Sequence, residues 1–300
     1  MADLGRLITA MVTPFDQAGG VDFQRAGKLA LALLDSGSHG VLVSGTTGES
    51  PTLSRQEKLR LFAEVKAAVG DRGVVIAGTG NYNTAESCEL TKEAEGVGVD
   101  GCLLVVPYYN KPTPEGLYQH FKAIASQTSL PCIVYNVPSR TVTNLSADTV
   151  IRLSQIDNIV GVKEASGNLD QVAKIIEGTG KDFLVYSGND GDTLPILALG
   201  GYGVISVASH LVGAQIREMM EAFLKGRAQE AAAIHRRLLP LVGALFVVSN
   251  PMPVKYALGR AGFPVGSPRL PLLEPDERAA AVIDAALENV TIDLPTAARA

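Results

Sequence analysis

Asn158-Ile-Val-Gly-Val-Lys-Glu-Ala-Ser-Gly167 contains a short apolar run, Ile159 to Val162, closed by a lysine. An apolar run without alternation is what a strand shows when both of its faces are covered. Lys163 is out of place at the end of such a strand unless it lies at a mouth. Two readings stay open at this point. The ammonium can snorkel to solvent past the strand end. Alternatively, burial strips its water, lowers its pKa and leaves neutral amine, which attacks ketones and forms Schiff bases.

Runs of the same kind recur about every 25 to 35 residues: Leu7–Val12, Val41–Ser44, Val74–Gly78, Gly101–Val106, Cys132–Asn136, Ile159–Lys163, Phe183–Ser187 and Gly203–Val207. Helix signals fill the gaps between them. Ser54-Arg-Gln-Glu57 has capping-box spacing ahead of a helical stretch to Val69. Thr113-Pro114-Glu115 offers an N-cap, a first-turn proline and an acid at the positive helix end. Asn168 to Gln171 is a further cap, and Leu211 to Leu224 has helical apolar spacing that ends near Gly226. Eight strand–helix alternations predict an α/β fold, a (β/α)8 TIM barrel. The competing architecture, a doubly wound open sheet, would carry a glycine-rich phosphate fingerprint; Gly78-Thr-Gly80 follows a strand but has no third glycine.

After residue 226 the strand pattern stops. Ala228–Val248, Pro251–Ala261 and Pro275–Glu288 read as helical pieces punctuated by Pro240, Pro251, Pro253 and Pro264. The expected division is a barrel over residues 1–225 and a C-terminal helical extension over 226–300, packed on the barrel.

Composition narrows the function classes. The chain is 46% hydrophobic and 19% charged, an ordinary globular balance. Net charge is −5 with no Lys/Arg-rich run, which argues against nucleic acid and anionic membrane as partners. No apolar stretch approaches the ~18 residues of a membrane span, and Met1 to Arg6 lacks the pattern of a secretory leader. Cys88, Cys102 and Cys132 are odd in number and widely spaced, as in a reduced cytoplasmic protein with mostly buried thiols.

In a barrel the chemistry sits at the carboxyl ends of strands. The second run leads into Gly45-Thr-Thr-Gly-Glu49, whose hydroxyls and flexible backbone can face a small anion or simply fill a turn. The fourth leads into Pro107-Tyr-Tyr-Asn110, which reads first as packing and second as a proton relay. The fifth ends Tyr135-Asn-Val-Pro-Ser-Arg140: a phenol able to pass protons and an arginine able to clamp a carboxylate. The seventh ends Ser187-Gly-Asn-Asp-Gly-Asp192, which has neither the spacing nor the closing Glu of a calcium loop and reads as a turn beside the mouth. The eighth, Gly203-Val-Ile-Ser206, is small enough to leave room for a ligand. His39, His120, His210 and His235 do not pair at ligand spacing, so no metal is expected. No Gly-x-Ser-x-Gly elbow is present.

Taken together, Gly45-Thr-Thr-Gly-Glu-Ser50, Tyr135-Asn-Val-Pro-Ser-Arg140 and Gly161-Val-Lys-Glu-Ala165 resemble the pyruvate-dependent class I aldolases of the N-acetylneuraminate lyase superfamily. Pro107-Tyr-Tyr-Asn-Lys-Pro112, Gly116-Leu-Tyr-Gln-His-Phe121 and Asn250-Pro-Met-Pro-Val-Lys255 bring the resemblance closer to its dihydrodipicolinate synthases, over nearly the whole chain. The resemblance implies a Schiff-base lyase of lysine and diaminopimelate biosynthesis that needs no cofactor. Its substrates would be pyruvate and L-aspartate-4-semialdehyde. Lys163 would form the imine, with Tyr135, Thr46 and Tyr109 as the proton relay, Tyr109 being lent across a tight dimer interface. Thr47 would hold the pyruvate carboxylate, Arg140 the semialdehyde carboxylate, and Gly188 and Ile205 would line the pocket. It implies a cytoplasmic homotetramer built from two tight dimers. Arg140 argues for a synthase over the alternatives in the superfamily, N-acetylneuraminate lyase and the 2-keto-3-deoxy sugar acid aldolases. A keto-acid sensor without turnover would not need Tyr135, Thr46 and Tyr109 together with Lys163.

One departure stands out. Lysine-sensitive synthases bind L-lysine at the dimer interface partly through a histidine and an asparagine. Lys58 and Tyr82 occupy the matching positions, although Glu86 and Tyr108 are kept. A cation at residue 58 repels the ammonium groups of the ligand, which implies weak or absent inhibition by L-lysine.

Overall fold

The computed structural model describes residues 4–295. Met1 to Asp3 and residues 296–300, which belong to the leader reading and the C-terminal extension respectively, lie outside the described residues.

Eight strands form a closed barrel in chain order: β1 (Leu7–Ala10), β2 (Gly40–Val43), β3 (Val74–Gly78), β4 (Gly101–Val105), β5 (Cys132–Asn136), β6 (Ile159–Glu164), β7 (Leu184–Ser187) and β8 (Gly203–Ser206). The helices are α1 (Phe23–Asp35), α2 (Arg55–Val69), α3 (Thr84–Val97), α4 (Pro114–Ala125), α5 (Pro138–Thr141), α6 (Ala147–Leu153), α7 (Leu169–Gly178), α8 (Thr193–Ala198), α9 (Ser209–Leu224), α10 (Ala228–Ala244), α11 (Met252–Arg260) and α12 (Glu277–Leu287). The expected barrel is borne out. Every apolar run became a strand, and β3 and β5 have the expected ends.

The caps formed as the sequence required. Ser54 accepts from the Glu57 backbone N–H while the Glu57 carboxylate accepts from the Ser54 N–H, so two of the unsatisfied donors of α2 are closed reciprocally. Thr113 and Asn168 cap α4 and α7 with one side-chain bond each, accepting from the Gly116 and Gln171 N–H groups. Within α9, Val212 departs from helical geometry at φ −129° and ψ 38°, close to the start expected at Leu211. Pro240 lies inside α10 without ending it.

By packing, the described residues divide into two compact units, 4–6 with 76–205 and 7–75 with 206–295. In the first, Cys102, Leu104, Val134, Val162 and Val185 meet Leu117, Phe121, Val150 and Ile175 in one buried cluster, so the outward faces of β4 to β7 are sealed by α4, α6 and α7. This double burial is why the strands read as continuous apolar runs. Gly161 is required there, because a Cβ would lie 2.4 Å from the Leu184 carbonyl oxygen. In the second unit α1 packs on α2, α10 on α9, and α12 on α10 and α11. His210 ties that unit internally, its Nδ1–H donating to the Val207 carbonyl at 2.8 Å and its Nε2 accepting from the Val12 N–H at 3.1 Å.

Candidate active site

β5 and β6 run parallel in a register that sets Tyr135 beside Lys163 and Asn136 beside Glu164. Side chains alternate across a strand, so the first pair shares one face and the second pair the other. On the first face Lys163 is only 5% exposed, and its Nζ lies 4.3 Å from the centroid of the Tyr135 ring. Burial drives the ammonium from its ordinary 10.5 down to about 7; the carboxylate of Asp190 works against this and the guanidinium of Arg140 adds to it. Of the two readings of this lysine, desolvation holds and snorkelling does not.

Asp190 was not singled out in the sequence. It is buried in the segment that follows β7, the stretch read only as a turn beside the mouth. The one signal was its place three residues past the end of a strand. Gly188 lies two residues before it, where a Cβ would sit 2.7 Å from the Ala165 methyl and 3.2 Å from Lys163 Cγ. Ile205 is fully buried in β8. Arg140 stands on the exposed short helix α5, and two residues on Val142 adopts φ +61°, a strained conformation for a β-branched residue.

On the opposite face of the two strands, Glu164 is 1% exposed and has no Lys or Arg at ion-pairing distance among the described residues. Its carboxylate accepts instead from Asn136 Nδ2 on both oxygens at 3.1 Å, from Gln171 Nε2 at 3.1 Å and from the Ser166 N–H at 2.8 Å.

The expected relay member Thr46 and the expected carboxylate-binding Thr47 follow β2, in the second unit. Thr47 is buried, and its Oγ1 accepts from Asn250 Nδ2 at 2.9 Å. The Gly48 carbonyl accepts from Thr13 Oγ1 at 2.7 Å. Glu49 sits in a left-handed turn at φ +55° and its carboxylate meets Lys255 Nζ at 2.6 Å, both side chains being almost wholly buried. Lys255 also lies over the Phe15 ring at 4.1 Å, and Glu49 accepts from the Arg269 N–H at 2.9 Å. The Asn250 to Lys255 motif therefore acts as a clasp on the Thr47–Glu49 loop, a role its sequence did not reveal.

Tyr108 and Tyr109 part company. Tyr108 packs edge-on against Tyr82 with centroids 5.1 Å apart, as the packing reading requires. Tyr109 is 92% exposed at φ +76°, so the chain alone does not bring it to the buried Lys163. His120 and His210 are buried rather than clustered, and among the described residues no three His, Cys, Asp or Glu side chains are placed to hold a metal ion.

A sequence profile of the Dihydrodipicolinate synthetase family matches residues 3–290. The chain belongs to that family. It is 65% identical over 295 residues to a 4-hydroxy-tetrahydrodipicolinate synthase of Dehalococcoides mccartyi, covering 98% of this chain and 99% of the relative. Among solved structures, dihydrodipicolinate synthase from Bacillus anthracis superposes with TM-score 0.95 at 49% identity, covering 97% of this chain and 99% of that one. The enzyme from Cyanidioschyzon merolae, solved with lysine bound, gives TM-score 0.95 at 48% identity over 96% of this chain and 99% of that one. The resemblance read from the strand ends is thus borne out at family level, and with it the class I aldolase type of lyase.

Proposed function

We propose that the chain is a 4-hydroxy-tetrahydrodipicolinate synthase, condensing pyruvate with L-aspartate-4-semialdehyde in lysine and diaminopimelate biosynthesis. The observation that carries the reading is the buried Lys163 amine, lowered to about 7 and lying against the face of Tyr135. Near neutral pH about half of such an amine is unprotonated and nucleophilic.

Lys163 Nζ attacks C2 of pyruvate to give a carbinolamine, which loses water to form the protonated imine. The imine draws electrons from the methyl group, whose proton leaves to give an enamine. The enamine carbon bonds to the aldehyde carbon of the semialdehyde, and the new alkoxide takes a proton. The semialdehyde amine then adds to C2 and displaces the lysine, closing the ring. Each step moves a proton, and Tyr135 is the adjacent phenol able to carry it, with Thr46 and Tyr109 completing the relay. Thr47, fixed by Asn250, binds the pyruvate carboxylate. Arg140, exposed on α5, meets the carboxylate of the incoming semialdehyde. Gly188 and Ile205 line the pocket; the close approach of Lys163 Cγ to Gly188 supports the first of these.

The enzyme works as a cytoplasmic homotetramer of two tight dimers, with residues 226–300 as a helical appendage on a barrel of residues 1–225. Support for the dimer comes from Tyr109, exposed in strained geometry, which gains a role when it reaches a partner's site. Among the described residues no helix is long and apolar enough to cross a membrane.

The test is reduction by borohydride in the presence of pyruvate, with the adduct mapped by mass spectrometry. The adduct is expected on Lys163; an adduct on another lysine overturns the mechanism. Turnover of aspartate-semialdehyde but not of N-acetylneuraminate then separates the synthase from the sugar-acid lyases.

A further inference from the structure

We infer that Glu164 is a positioning residue, whose buried carboxylate holds the Arg140 turn in its working arrangement through Asn136, Gln171 and the Ser166 backbone. The inference rests on the reading of Lys163, Tyr135 and Arg140 given above.

Burying a carboxylate without a cation is costly unless hydrogen bonds replace its water. Glu164 meets that condition with three donor groups drawn from three separate segments. Asn136 ends β5, Ser166 lies in the loop after β6, and Gln171 lies in the first turn of α7. Asn136 extends the clamp. Its Oδ1 accepts from the Leu145 N–H at 2.8 Å, and its Nδ2 reaches Asn144 Oδ1 at 2.8 Å. Asn144 Nδ2 in turn donates to Gln171 Oε1 at 2.8 Å. The segment from 136 to 145, which carries Arg140, is thereby tied at both ends to one buried anion.

That segment needs restraint. Val142 is 71% exposed and held at φ +61°, where a β-branched side chain is strained and few contacts of its own hold it. The clamp supplies the restraint from the opposite side of the sheet. Glutamine has the same shape as glutamate but places an N–H2 group, which cannot accept, opposite N–H donors, so the clamp depends on the carboxylate and not on volume alone.

The experiment is a comparison of Glu164→Gln and Asn144→Ala with the wild-type enzyme. Three quantities are measured: the rate of pyruvate adduct formation with borohydride, and KM for each substrate. Because burial is the main cause of the lowered pKa of Lys163 and neither variant exposes the amine, the adduct should still map to Lys163, within a few-fold of the wild-type rate. KM for aspartate-semialdehyde should rise roughly 10-fold or more, as misplacing a binding group by about an ångström does, while KM for pyruvate changes far less. A purely architectural role would lower the fraction of active enzyme and leave both KM values in place; that outcome overturns the inference. Asn144→Ala touches only the outer end of the clamp and decides the matter if Glu164→Gln does not fold. An adduct away from Lys163 in the wild-type enzyme refutes the functional reading instead, and a normal semialdehyde KM in a variant with its Lys163 adduct refutes the clamp alone.

Discussion

The lowered pKa of Lys163 makes a quantitative forecast. An ordinary lysine near 10.5 is about one part in three thousand neutral at pH 7, whereas one near 7 is half neutral. The structure therefore raises the nucleophilic fraction about a thousandfold, equivalent to roughly 5 kcal/mol. The measurement is the initial rate of pyruvate trapping by cyanoborohydride from about pH 5.5 to 9.5, with adduct stoichiometry read by mass spectrometry, and it should show a midpoint near 7. The two charges that face the amine have opposite signs, so two variants must move that midpoint in opposite directions. Asp190→Asn removes the anion that favours the ammonium, and the midpoint falls below the wild-type value. Arg140→Ala removes a cation that disfavours it, and the midpoint rises. A wild-type midpoint near 10, or variants that shift together or not at all, would refute the account of Lys163 as a desolvated nucleophile governed by these neighbours.

Other outcomes follow from the same geometry. Glu49→Gln leaves Lys255 buried against Phe15 without its anion and should cost about 3–5 kcal/mol in urea denaturation, as loss of one partner from a buried pair does. His120 and His210 are both held down to about 4 by burial, below the 6.5 of the unfolded chain. Between those values only the unfolded state takes up the proton, so stability is complete above pH 6.5 and falls with acid towards pH 4, by up to about 3 kcal/mol for each histidine; urea midpoints measured across that range should show the slope. Steady-state assays with added L-lysine should reach no half-inhibition at sub-millimolar concentration, in contrast to an enzyme carrying the histidine and asparagine that Lys58 and Tyr82 replace.

Much of this protein was legible along the chain. Double burial leaves strands uniformly apolar, so β1 to β8 could be counted before any pairing was known. Capping is a matter of three or four adjacent residues, so Ser54, Thr113 and Asn168 announced their helices. Lys163 was conspicuous because a lysine closing an apolar run violates the pattern around it. Its environment was another matter. Nothing in Ser187 to Asp192 marked Asp190 as the anion facing that amine, and Glu164 looked like an ordinary polar residue at a strand end until its donors from Asn136 and Gln171 were in view. The clasp of Asn250 on Thr47 joins residues 203 positions apart, a separation at which periodicity carries no information.

By itself, then, the sequence determined the barrel, several helix caps and the family, because hydrophobic period, caps and strand-end motifs are written in neighbouring residues. Tertiary structure alone decided that Lys163 is stripped of water rather than snorkelled into it, that Glu164 is satisfied without a cation, and that Tyr109 stands in solvent. These depend on how much water and which distant donors surround a side chain. Desolvation and long-range hydrogen bonding come into being only when the strands close.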